Sequence, residues 1–262
     1  MSRHEETAAA HGAWAKKSLG QHFLRNQRAI ARITAAVPEG VSVLEIGPGP
    51  GALTEHLIDR AKRMTVVEAD DRFAAFWAKR ADPHLRVVHA DVLDVINEVV
   101  KRDCPEWIVG NLPYNISGPL TARLAALRLT GGMVLMYQRE VAERLLAGPG
   151  GRARGGLSIL VRHHYRVRRL LSLPPGAFAP PPKVHSAVLL FTPREEMPAC
   201  NYEALQKAVR QGFGRRRKTL ANNFRGLLTP ADWDALGIDA SVRPEQLDEA
   251  DWARLARRLY EI

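Results

Sequence analysis

The chain has 262 residues, enough for one large domain or a medium and a small one, and its 46% apolar and 25% charged residues are ordinary for a globular protein. This composition excludes a disordered, collagen-like or disulfide-stapled chain, and no apolar run approaches the roughly 20 residues of a membrane span. The formal charge of +10 is unevenly placed: nine basic and no acidic residues lie between Arg144 and Arg194, and seven basic and none acidic between Lys207 and Arg225.

Residues 1–17 mix charges with small side chains and have no period, so they read as a flexible tail, without the apolar stretch of a secretory signal. From Gln27 to Val37 the apolar Ile30, Ile33 and Val37 recur at helical spacing. Val41–Ile46 is a short β-branched run ending at glycine, the mark of a buried parallel strand. A helix is expected from Gly51 to Ala61, then a strand at Met64–Glu68, a helix at Phe73–Arg80, strands at Leu85–His89 and Trp107–Val109, a helix at Pro119–Leu129 and a strand at Gly132–Tyr137. This alternation predicts an α/β fold with a parallel sheet and crossover helices on both faces. Glu140–Leu146 and Leu157–His164 read as helices, with His163 and His164 expected at the surface. Val167–Leu173 and His185–Phe191 read as closing strands, joined by a segment with five prolines between Pro174 and Pro182 that excludes regular helix. Beyond Pro193 only helical segments and turns are expected, so the predicted domains are 18–196 and 197–262.

The turn Glu45-Ile46-Gly47-Pro48-Gly49-Pro50-Gly51 follows the first strand of this sheet and opens a helix. Glycines there allow a tight turn and close approach of a ligand, with helix amides facing it. The spacing is GxGxG, not the GxGxxG of dinucleotide sites. Glu68 ends the next strand and is placed to accept both hydroxyls of a ribose; Asp91 ends the third and is placed to accept from an exocyclic adenine amine. A carboxylate at each of two successive strand ends suits a nucleoside, and points to S-adenosylmethionine with Gly47 near its amino-acid end. A helix N-cap is the alternative role for either acid.

Asn111-Leu112-Pro113-Tyr114 closes the fourth strand. An aryl amine is a poor nucleophile because its lone pair is delocalised, and two acceptors on its hydrogens raise the density on nitrogen. The Asn111 side-chain oxygen and the Leu112 carbonyl are candidates for those acceptors. Pro113 restricts Leu112 to an extended shape, and Tyr114 is a stacking partner for a base. No metal and no strong base is needed for such a transfer, and the nine histidines do not fall into a metal-ligand spacing. The two cysteines, Cys104 and Cys200, are isolated, as expected of a reducing cytoplasm. The basic blocks favour a nucleic-acid partner, with Arg152, Arg154, Lys183, Arg215, Arg216, Arg217 and Lys218 as candidate contacts.

Taken in order, KSLGQHFL from Lys17, EIGPGPGALT, VVEAD, the Asp91 strand end, GNLPYNIS, QREVAERL, LSIL, FAPPPKVHSAV and GRRRKTLANN resemble the small-subunit ribosomal RNA adenine dimethyltransferases, the KsgA/RsmA family, over nearly the whole chain. The resemblance implies a Rossmann-like class I methyltransferase domain with a small all-helical C-terminal domain. It implies transfer of methyl groups from S-adenosylmethionine to N6 of two adjacent adenosines in the 3′-terminal hairpin loop of 16S rRNA. The substrate would be a 30S assembly intermediate, and no obvious association motif argues against a monomer. By the same resemblance the cofactor contacts fall on His22, Leu24, Gly47, Glu68, Asp91 and Asn111, and Phe178 stacks on the target base opposite Tyr114. The chain departs from the family at His22, where Asn is usual; at Arg154-Gly155-Gly156, where Tyr-Gly is common; and at His185, often Asp. Two rivals share the fold: the large-subunit rRNA methyltransferases of macrolide resistance, and a non-catalytic ribosome-assembly factor. The PPPKVHSAV and RRRKTLANN segments weigh against the first, and the joint presence of the glycine turn, Glu68, Asp91 and NLPY against the second.

Overall fold

A computed structural model describes residues 15–16, 19–80, 82–215 and 217–260. Most of the expected tail, Lys17, Ser18 and Arg216 lie outside the described residues.

The centre is a seven-stranded sheet. Its strands are β2 (Ser42–Ile46), β3 (Arg63–Glu68), β4 (Leu85–His89), β5 (Trp107–Asn111), β6 (Gly132–Gln138), β7 (Tyr165–Leu173) and β9 (Ser186–Pro193), in the order β4-β3-β2-β5-β6-β9-β7. β1 (Phe23–Leu24) and β8 (Phe178–Ala179) form a separate antiparallel pair, with Leu24 opposite Phe178. β2 to β6 run parallel, and β9 returns antiparallel to β6. The central strands are apolar on both faces because helices cover both, which is why they read as continuous runs rather than alternating ones. The chain winds outward one way from β2 through β3 to β4 and the other way through β5 to β6. The order therefore reverses between β2 and β5, where ligands of such sheets bind at the carboxyl ends of the strands.

The helices of this part are α1 (Gln27–Ala35), α2 (Thr54–Leu57), α3 (Asp71–Ala78), α4 (Val92–Asp103), α5 (Ser117–Ala126) and α6 (Arg139–Leu146). Side chains cap three of them: Asn26 accepts from Ala29 N–H, Asp70 from Arg72 N–H and Asp91 from Leu93 N–H. α2 is much shorter than the expected Gly51–Ala61 helix. Gly47, Gly49 and Gly51 all have positive φ, and at +99° Gly51 stands outside any helical conformation, so the turn consumes the start of the helix. α4 fills a stretch to which the sequence reading assigns no element. It is rich in β-branched residues but buries Val92, Ile96 and Val99 at helical spacing.

Contacts divide the chain into two compact units, one of 1–123, 129–142 and 168–193, the other of 124–128, 143–167 and 194–262. The first is built around a core that includes Ile30, Ile33, Val43, Val66, Val109 and Phe178. The second contains α7 (Gly156–His164), α8 (Tyr202–Gly212), α9 (Leu220–Asn223), α10 (Pro230–Leu236) and α11 (Glu249–Tyr260). Its core is formed by Ile159, Leu205, Val209, Leu220, Phe224 and Trp252. The expected division at 196/197 thus differs from this one: α7 belongs with the C-terminal helices because Ile159 packs among them.

His163 and His164 are not surface residues. Both are buried, His164 Nδ1 lies 2.8 Å from the Ala125 carbonyl and its ring stacks on Tyr202 at 4.7 Å. Burial pushes the His163 imidazole down to about 4, with His164 and nearby arginines adding to the effect.

Candidate active site

The carboxyl ends of β2, β3 and β5 open into a cleft that is continuous with solvent. Its lining includes Gln21, His22, Phe23, Gly47, Gly49, Glu68, Asp91, Asn111, Leu112, Pro113 and Tyr114. Residues spread over 94 positions of sequence are therefore gathered in one place by the strand order (from Gln21 to Tyr114).

The glycine turn forms one wall. Gly47 has φ +66°, and a Cβ built there meets no protein atom within 4 Å, so the space beside it is cleft rather than core. Gly49 is fixed from both sides: its N–H donates to Glu68 Oε2 at 2.9 Å, and its carbonyl accepts Trp77 Nε1 at 2.8 Å. Glu68 also takes the Asp70 N–H on Oε1 at 2.8 Å. The Glu68 carboxylate, held by these backbone donors, lines the cleft. Burial raises the Glu68 carboxyl, while the N–H groups of Asp70 and Gly49 oppose that rise. Asp91 caps α4 through Oδ1 at 2.8 Å, is exposed and lines the cleft. The N-cap role weighed for Asp91 is therefore real, and it occupies only one oxygen.

Three residues that support this wall carry no ligand-binding signature in the sequence. Trp77 holds the turn, as described. Asp70 receives Arg72 Nη2 at 2.6 Å, Gln21 Nε2 at 3.0 Å and Lys16 Nζ at 3.2 Å. Arg72 first, then Gln21 and Lys16, hold its carboxyl well below the usual carboxylate range. Glu45, fully enclosed beneath the turn, accepts from Thr54 Oγ1 at 2.7 Å. Burial pushes it up to about 8 despite that bond, and the neighbouring Glu68 adds to the rise, so it is protonated at neutral pH. A lone acid inside the apolar run VLEIG was the available signal for it.

The opposite wall is the Asn111–Tyr114 turn. Asn111 Nδ2 donates to the His22 carbonyl at 2.7 Å, and no described residue donates to Asn111 Oδ1. The Leu112 side chain is buried and anchors the turn. Tyr114 donates to or accepts from Ser186 Oγ at 2.7 Å, and its half-buried phenol is raised by burial. The Tyr114 ring stacks on His22 at 5.8 Å and 27°, and His22 Nδ1 lies 2.7 Å from the Pro180 carbonyl. His22 thus ties three segments of the site together.

Two expected contacts are placed elsewhere. Leu24 and Phe178 face each other across the β1–β8 pair and are buried in the core, 5% and 4% exposed. Neither is among the residues that line the cleft. Among the basic candidates, Arg152, Lys183, Arg215, Arg217 and Lys218 are exposed. Arg154 is not a surface contact: it is fully buried, and its Nη2 pairs with Glu249 at 2.9 Å. Among the described residues no group of three or more His, Cys, Asp or Glu is arranged for a metal ion, and no helix is long and apolar enough to cross a membrane.

The model of the ribosomal RNA adenine dimethylase family matches residues 12–261. The chain is similar to the ribosomal RNA small subunit methyltransferase A of Pseudomonas putida, with 45% identity over 94% of this chain and 95% of that one. Among solved structures it is similar to a dimethyladenosine transferase from Plasmodium falciparum, with TM-score 0.79, 29% identity, and coverage of 89% of this chain and 96% of that one. It is also similar to the 23S rRNA methyltransferase ErmE, with TM-score 0.67, 26% identity, and coverage of 90% and 99%.

Proposed function

Because the chain belongs to the ribosomal RNA adenine dimethylase family, we propose that it transfers methyl groups to N6 of two adjacent adenosines in the 3′-terminal hairpin loop of 16S rRNA, late in assembly of the 30S subunit. Its partner is then a cytoplasmic small-subunit intermediate. The higher identity to the small-subunit enzyme, 45% against 26% for the 23S enzyme, favours the small-subunit target.

The cleft fits S-adenosylmethionine in its donor set. Gly47 offers open backbone, and Glu68 and Asp91 line the cleft as carboxylates suited to a ribose and to an adenine amine. When bound, the cofactor supplies the electrophilic methyl group. The chain's own residues orient the acceptor. Asn111 is held by its amide nitrogen, so its oxygen is left to accept one hydrogen of the target amine, and the Leu112 carbonyl accepts the other. These two bonds localise the nitrogen lone pair and aim it. Methylation makes the amine strongly acidic, so its proton leaves without a dedicated base. Orientation of this kind supplies up to about 7–11 kcal/mol of a barrier. Tyr114, neutral because burial raises its phenol, presents its ring to the base.

The observation that carries this reading is the Asn111 amide, fixed at 2.7 Å on the His22 carbonyl with its oxygen unclaimed at the mouth of β5. Asn111→Ala is expected to lower single-turnover methyl transfer by at least about 100-fold, the scale of one lost transition-state contact, while subunit binding is retained. Normal turnover in that variant rules the contact out.

A further inference from the structure

The cleft leaves one charged surface unexplained. Arg25, Arg28 and Arg32 follow one another at intervals of three and four residues, the last two on a common face of α1, and all three are exposed. The other face of α1 buries Ala29, Ile30 and Ile33 against a core that includes Leu173 and Ala177. Two hydrogen bonds fix what lies beside the helix. The Arg25 N–H donates to the Ala177 carbonyl at 2.8 Å, and Arg32 Nη2 donates to the Leu170 carbonyl at 3.2 Å. Arg32 thus touches β7, where the consecutive Arg168 and Arg169 are both exposed and project to opposite sides of the strand.

No acidic residue occurs between Gly20 and Pro38, or between Arg144 and Arg194, the two segments that build this surface. Among the described residues, Arg25, Arg28, Arg168 and Arg169 make no ion pair, whereas the first acid after α1, Glu39, is already paired with Arg60 at 3.1 Å. β7 is an edge strand, and arginines on an edge discourage pairing with another chain. That accounts for Arg168 and Arg169. It does not account for Arg25 and Arg28, which sit on no strand edge. The surface also starts at the cleft: His22 and Phe23 line it, and Arg25 follows two residues later.

We propose that this arginine face is a docking surface for the phosphate backbone of the RNA that flanks the target nucleotide. The inference rests on ribosomal RNA being the substrate. Guanidinium groups stay charged at any working pH and match phosphate oxygens in pairs, and each phosphate neutralised releases counterions. The Arg215–Lys218 run belongs to the other compact unit.

The test uses the full chain carrying Arg28→Gln, Arg168→Gln and Arg169→Gln, with Arg32 kept for its bond to Leu170. Binding to small subunits lacking the terminal-loop methylation is measured between about 50 and 200 mM salt, with turnover at saturating subunit. The expected result is a logarithmic salt slope shallower by about 2, at roughly 0.7 per contact, with turnover at saturation unchanged. The corresponding triple Lys variant is expected to keep the parent slope, which separates loss of charge from loss of fold. An unchanged slope in the Gln variant, with normal methyl transfer by the parent, overturns the docking surface alone and leaves Arg168 and Arg169 as edge protection. A parent that neither binds nor methylates the subunit overturns the reading beneath it.

Discussion

At Asn111 the useful atom is the one the fold leaves alone: the amide nitrogen is spent on the His22 carbonyl and the oxygen remains for substrate. Glu45 reverses that logic, being enclosed so fully that its carboxyl titrates near 8 instead of 4.5. Between those values the folded chain holds a proton that the unfolded chain has released. The group therefore stabilises the fold at low pH, and the contribution is lost as pH rises from about 4.5 through 8. Glu45→Gln keeps an acceptor for Thr54 and removes the titration. Urea unfolding at several pH values is expected to give a flatter stability profile for the variant across that range, and greater stability than the parent above about pH 8; parallel profiles contradict a protonated Glu45. Phe178 illustrates the limit of reading roles from a motif. Its place in FAPPPK suggests a base-stacking ring, yet its pairing opposite Leu24 turns it into the core. Phe178→Ala is expected to cost about 3–5 kcal/mol of unfolding free energy. A loss below about 1 kcal/mol, with impaired turnover, contradicts the buried placement.

Elements differed in how openly the sequence declared them. The parallel strands β2, β3 and β5 were legible because helices on both faces leave them no polar side, and the carboxylates and NLPY turn at their ends were legible with them. α4 was not, because Val92, Val95, Ile96, Val99 and Val100 are the residues of a strand, and only tertiary packing selects the helix. α2 was overextended because a glycine turn and the helix after it share residues, and only backbone angles divide them. A basic run does not reveal which member turns inward, and Arg154 does. It shares Glu249 with Arg162, and its Nε and Nη1 have no partner among the described residues. Replacing a whole buried ion pair by apolar groups is often neutral or stabilising, and removing one partner is costly where it leaves the other charge unpaired. Arg154→Met leaves Glu249 paired with Arg162, so the unfolding midpoint is expected to hold or rise, and subunit affinity to stay the same. Weakened affinity with a shallower salt slope returns Arg154 to the RNA interface.

For the whole molecule, charge and topology tell one story. The net +10 is concentrated in two acid-free blocks, and the strand order gathers the glycine and NLPY turns around one cleft. The catalytic half was legible because its chemistry sits at strand ends, in local motifs. The division into units was not, since the second unit draws 124–128 and 143–167 from the middle of the chain, and membership depends on packing rather than position. The central claim is that this cleft orients an adenine amine of small-subunit rRNA for methyl transfer. Its most direct test is incubation of the full chain with labelled S-adenosylmethionine and small subunits lacking terminal-loop methylation, followed by digestion and mass spectrometry of the rRNA. N6,N6-dimethyladenosine at two adjacent positions in the 3′-terminal hairpin loop is the predicted result. Absence of label there despite tight subunit binding, or label confined to large-subunit rRNA, contradicts it.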